Sequence, residues 1–119
     1  MFQKSSDQET QSEALKLITD AADEGYTKAQ NRLGLMYMQG AGVEINHDLA
    51  FHYFNASAEA DDPEGITYLG MNYCNGYGCE KDEIKACELF LLAANSGFAQ
   101  AQFNLAWNYH HGIGVNQDL

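Results

Sequence analysis

The side chains of this 119-residue sequence that could do chemistry are three cysteines, four histidines and seventeen carboxylates. Cys74, Cys79 and Cys87 fall within one stretch and are odd in number, so they do not form a disulfide framework. No Cys-x-x-Cys pair is present and no histidine stands at a ligand spacing from them, so zinc has no donor set. They are expected to be small, buried or half-buried thiols. His110 and His111 are adjacent. On a helix, neighbours point about 100° apart, whereas two ligands to one metal stand at i and i+4. The pair is therefore expected as exposed or partly packed imidazoles near a helix C-terminus. The acids Glu59, Asp61, Asp62 and Glu64 bracket a turn, and Glu80, Asp82 and Glu83 open a helix, where negative charge is favourable. No stretch alternates acids around a glycine as a calcium loop does, and no nucleophile motif or phosphate-cradling glycine loop occurs. No catalytic residue, metal or cofactor is expected. Asn55-Ala56-Ser57 has the form of a glycosylation sequon, but Ser57 is expected on the packed side of a helix.

Composition narrows the partners. The net charge is −11 with only six Lys and Arg, which excludes a phosphate backbone as the main ligand, since that affinity rests on basic side chains releasing counterions. A basic peptide or protein face is the electrostatic complement. No apolar run is long enough to cross a bilayer, so no membrane insertion is expected. The N-terminus lacks the basic-then-apolar profile of a secretory signal, which points to the cytoplasm; a segment of a secreted or periplasmic protein would read the same way.

What positions all these residues is a repeat. Leu33-Gly34-Leu35-Met36-Tyr37 is echoed by Leu69-Gly70-Met71-Asn72-Tyr73 and by Leu105-Ala106-Trp107-Asn108-Tyr109, each 36 residues on. Gly40, Gly76 and Gly112 hold the same offset, as do Gly42, Gly78 and Gly114. So do Ala14, Ala50 and Ala86, then Ala22, Ala58 and Ala94, and the large apolar set Ile18, Phe54 and Phe90.

Each unit reads as two helices. Leu33 and Tyr37 lie four apart on one face of a first helix, and the Gly-x-Gly pair ends it. Ala50, Phe54 and Ala58 line one face of a second. First-type helices are predicted at about 27–39, 63–75 and 99–111, and second-type helices at about 10–24, 46–60 and 82–96. Thr10-x-x-Glu13 and Thr27-x-x-Gln30 fit capping boxes. Asp62 before Pro63 fits the N-cap of a first-type helix, and Asn46, Asp82 and Asp118, equivalent to one another, fit N-caps of second-type helices. Gly25, Asp61 and Gly97 mark the return bends. The fold class is all-α, an α/α superhelix (alpha-solenoid) of 36-residue helix-turn-helix repeats. Residues 1–9 are expected as a flexible lead and 10–119 as the solenoid, with units 27–60 and 63–96 and a partial unit 99–119. So read, the chain opens on an unpaired second-type helix and closes where the next should begin. That suits a segment of a longer solenoid, or ends that pair with another chain.

The run Ala29-x-x-x-Leu33-Gly34-x-x-Tyr37-x-x-Gly40-x-Gly42-Val43, then Asn46 and Ala50, resembles the Sel-1-like repeat, a relative of the tetratricopeptide repeat. The later units match through Leu69, Gly70, Tyr73, Gly76, Gly78, Ala86 and Ala94, and through Ala101, Leu105, Tyr109, Gly112 and Gly114. Ala106 stands where the pattern has Gly, Gly65 where it has Ala, and Cys79 where it has Val. The resemblance implies a scaffold or adaptor for protein–protein interaction rather than an enzyme.

By analogy with related repeats, the first-type helices line the concave face. Its outward stations would be Lys28, Asn31, Leu35, Met38 and Gln39, then Glu64, Thr67, Met71, Cys74 and Asn75, then Gln100, Phe103, Trp107, His110 and His111. The candidate contact set is Leu35, Met38, Glu64, Met71, Phe103, Trp107 and His110, an apolar groove edged by acid and suited to a basic or amphipathic segment. The same stripe reads equally as helix-packing core. Two other readings stay open: self-association through the solenoid ends, and an enzyme or small-ligand protein with a pocket near Trp107 and His110.

Overall fold

The computed structural model describes residues 2–115, with side chains from residue 8 onward. Six helices follow one another: α1 (Phe2–Asp23), α2 (Thr27–Gln39), α3 (His47–Glu59), α4 (Pro63–Asn75), α5 (Glu83–Asn95) and α6 (Ala99–His111). There is no strand among the described residues. Each helix packs on the next in sequence, and α2 also touches α4, giving a rod of 62 × 24 × 23 Å. This is the helical-repeat solenoid the 36-residue register predicts.

The turn chemistry repeats with the sequence. Gly40, Gly76 and Gly112 end α2, α4 and α6 in the left-handed conformation, at φ of 73°, 72° and 67°. That conformation costs an L side chain and not glycine. Asn46, Asp62 and Asp82 accept a hydrogen bond from the backbone N–H three residues on, at 3.1, 3.0 and 3.0 Å. Asp118 lies outside the described residues. The return bends use Gly25, Asp61 and Gly97 at positive φ, Asp61 alone paying for a side chain there.

Two expected caps are corrected. Tyr26, not Thr27, is the N-cap of α2, because the return bend at Gly25 fixes the helix start one residue earlier. Gln30 does not reach back to a cap. It is buried, and its Nε2 donates to the Ala22 carbonyl at 3.0 Å, tying α2 to the end of α1. Thr10 lies inside α1, which begins at Phe2 rather than near residue 10. The reason is local: Lys4 and Ser6 occupy the stations of the turn glycines, and residues 1–24 contain neither Gly nor Pro to stop a helix.

The core is one column shared among the units. Leu33, Phe54, Leu69, Phe90 and Leu105 are buried along it, with Ala50, Ala86, Ala93 and Ala101 where helices approach closely. Gly34 lies against the Phe54 ring and Gly70 against the Phe90 ring, so close that a Cβ would sit 2.3 and 2.7 Å from them. Gly65 is explained the same way: a Cβ would stand 2.2 Å from the hydroxyl of buried Ser57. In the other units the corresponding pairs are Ala29 with Ala21 and Ala101 with Ala93, so a bulkier Ser is met by a smaller Gly. Ser57 of the sequon is buried as expected, while Asn55 itself is half-exposed and its Nδ2 donates to Glu59 Oε1 at 3.0 Å.

Candidate functional site

The first-type helices α2, α4 and α6 present the residues expected on the inner face, and the structure divides them. Asn31 and Thr67 are buried, so they do not point outward. The next unit covers them: Asn31 Nδ2 donates to Asp62 Oδ2 at 2.9 Å and to Glu64 Oε1 at 3.0 Å, both at the start of α4. Asp62 and Glu64 are thereby engaged at a junction between units rather than simply solvated. The equivalent Phe103 is exposed, on the face by which α2 and α4 join the unit that follows them.

Leu35 and Met38 are half-buried against the cluster of Ala50, Phe54 and Leu69, and Met71 against that of Cys87, Phe90 and Leu105. Leu35, Met38 and Met71 are therefore half core and half surface. Trp107 is exposed, as Phe103 is; it stacks on His111 with ring centroids 4.2 Å apart and is tilted against Phe103 at 6.3 Å. His110 is exposed and edge-on to His111 at 4.9 Å.

Between α4 and α6 these helices leave a groove of about 280 Å³, lined by Met71, Cys74, Asn75, Phe90, Asn104, Trp107 and Asn108. It brings Met71 and Trp107 together. Leu35, Met38, Glu64, Phe103 and His110 do not line it. The expected set omits Asn104 and Asn108. Asn108 had a weak signal, since Asn72 repeats it one unit earlier. Its Nδ2 donates to Cys87 Sγ at 3.4 Å and Cys74 Sγ at 3.6 Å, fixing the groove floor. Among the described residues no three His, Cys, Asp or Glu side chains gather as a metal site.

All three cysteines are free thiols. Cys87 is buried and its Sγ donates to the Ile113 carbonyl at 3.1 Å. Burial pushes the Cys74 thiol up, opposed by the Asn108 N–H, and burial alone pushes up Cys79. Both therefore favour the neutral thiol in the fold. For groups raised in this way, the associated stability is complete below the ordinary thiol value of 9.0 and is lost as pH climbs through the higher folded-state values. Thermal melts should be flat with respect to these groups from pH 7 to 8 and fall above about pH 9. A Cys74→Ala, Cys79→Ala chain should lose part of that alkaline fall, and an unchanged fall would remove the thiols as its cause.

Comparison with known proteins adds the family. The Sel1 repeat matches residues 27–62, 63–98 and 99–119. The chain belongs to the Sel1-repeat family. Two solved Sel1-type structures superpose at a TM-score of 0.81 over 87% of this chain. One is a protective antigen present in uropathogenic Escherichia coli strains displaying an SLR fold, 33% identical, of which 22% is covered. The other is a Sel1 repeat protein from Oxalobacter formigenes, 29% identical, of which 41% is covered. The chain thus spans well under half the length of either. No curated protein matches. Sel1-repeat proteins are generally protein-interaction scaffolds and typically not enzymes. No helix of the described residues is long and apolar enough to cross a membrane.

Proposed function

We propose that this Sel1-repeat chain is a protein-binding scaffold whose groove between α4 and α6 holds a basic or amphipathic segment of another protein. The observation that carries this reading is the make-up of the groove: the Met71 thioether and the Trp107 indole beside the amides of Asn75, Asn104 and Asn108. A thioether adapts to irregular apolar side chains, and an exposed indole is the residue type most enriched at binding hot spots. Amides donate and accept, as the backbone of an extended segment also does. The net charge of −11 favours a basic occupant.

The test is selection of displayed random peptides against the 119-residue chain, followed by titration of the winners. Winners rich in Lys or Arg around a large apolar residue are expected, and Met71→Ala and Trp107→Ala should each weaken them about tenfold or more. Winners indifferent to both substitutions, or a selection that returns none, would overturn the groove as the site.

A further inference from the structure

The first-type helices all end on a glycine, and one of those ends differs from the others in covalent chemistry. Gln39-Gly40, Asn75-Gly76 and His111-Gly112 close α2, α4 and α6. Only the Asn75 side chain places an amide carbon where the next backbone nitrogen can close a succinimide ring on it. Gln39 is one methylene too long for that ring and His111 has no amide. Gly76 has no Cβ to shield its nitrogen, and no other asparagine of the sequence precedes a glycine. Asn75 is exposed, and so is its counterpart Gln39 with a whole unit packed after it. A following unit therefore leaves this station open to water.

Three hydrogen bonds hold the reaction back. The Gly76 N–H donates to the Asn72 carbonyl at 2.8 Å, and the Tyr77 N–H to the same oxygen at 3.0 Å. Asn75 Nδ2 donates to the Met71 carbonyl at 3.0 Å. The nucleophile is thus the donor of a helix-end bond, and the amide it would attack is tied back along the helix. All three bonds lie at the C-terminal turn of α4, and helix ends are where a fold opens most readily.

We propose that Asn75 is a site of spontaneous deamidation, gated by opening of the last turn of α4, that adds a permanent negative charge to the groove between α4 and α6. With the turn open, the Gly76 nitrogen gives its proton to water and bonds to Asn75 Cγ. The Cγ–Nδ2 bond breaks, and Nδ2 leaves as ammonia with a proton taken from water. Water then adds to either carbonyl of the succinimide, which opens to aspartate or isoaspartate. The sum is amide plus water giving acid plus ammonia, with nothing oxidised or reduced.

Asn75 lines the groove with Met71 and Trp107, so the new carboxylate stands on that lining. It also stands at the C-terminus of α4, where the helix dipole disfavours negative charge. The product therefore holds the turn shut less well than the amide did. Isoaspartate goes further, because its main chain runs through the side-chain methylene and shifts Gly76 out of register with the Asn72 carbonyl.

The test is incubation of the 119-residue chain at neutral pH, with peptide mass mapping and enzymatic methyl labelling of isoaspartate. Product should appear first at Asn75, about tenfold or more slower than in a peptide of residues 70–81, and at the peptide's rate once urea unfolds the chain. Below the unfolding transition the rate should change little with urea, since opening one turn exposes little surface. Asn75→Gln should abolish that first product with circular dichroism unchanged, as Gln39 already fills the equivalent station. Product appearing first elsewhere, for instance at Asn95 before Ser96, would overturn the site. A folded chain that reacts as fast as the peptide, or a rate that climbs with urea in step with global unfolding, would overturn the gate.

Discussion

Phe54→Ala should lower the unfolding free energy by about 3–5 kcal/mol, a large share of what a chain of this length has. Phe54 is fully buried, its ring 5.0 Å from that of Tyr68 and in contact with the Gly34 backbone. It therefore touches α2 in its own unit and α4 in the next. Truncation empties a site whose glycine side has no side chain to move in. Stability in a stacked-repeat protein is a sum of unit and neighbour-interface terms, and this substitution weakens both. Urea titration followed by circular dichroism measures the loss. A change below about 1 kcal/mol would mean that the column of Phe54, Leu69 and Phe90 is not the core the fold rests on.

Gly78→Ala should cost about 2–5 kcal/mol, and Gly42→Ala only about 1–2 kcal/mol. The two glycines have nearly the same backbone, φ of 73° and 79°, so the strain of placing an L residue there is shared. They differ in space. A Cβ at Gly78 would stand 2.3 Å from the His47 carbonyl oxygen and 2.9 Å from its carbon, whereas nothing lies within 4 Å of one at Gly42. The obstacle is backbone at the start of α3, which no rotamer change can clear. Equal losses for the two variants, read by the same urea titration, would show that conformation alone decides and that the close approach to His47 contributes nothing.

Helix types, order and turns were legible because residues 36 apart keep identical roles: Leu33, Leu69 and Leu105 are all buried, and Gly40, Gly76 and Gly112 all end a helix. The site was less so. Periodicity tells which helix face a residue occupies, but not how far the next unit leans over that face. Asn31 and Thr67 share a station with Phe103, yet the first two are buried and the third is exposed. Asn104 was missed because an asparagine on a helix carries no signal of facing a groove, and Asn108 because its repeat of Asn72 is only a weak one. The Asn72 amide is more opaque still, fully buried with neither polar atom partnered among the described residues. The helix cap at Tyr26 follows from the bend before it, not from its own side chain. The start of α1 was obscured because residues 4–10 fall on the stations of the turn 40–46 while lacking its glycines.

Every helix in this rod touches its sequence neighbours, and beyond them only α2 and α4 meet substantially. Tension applied at the two ends therefore has no distant strand pairing to break all at once. Load passes from one helix pair to the next, and the pair with the weakest junction yields while the rest stay folded. Under load the molecule should therefore lengthen in increments and recoil as each pair re-forms, a compliance expected from the local connectivity of its helices.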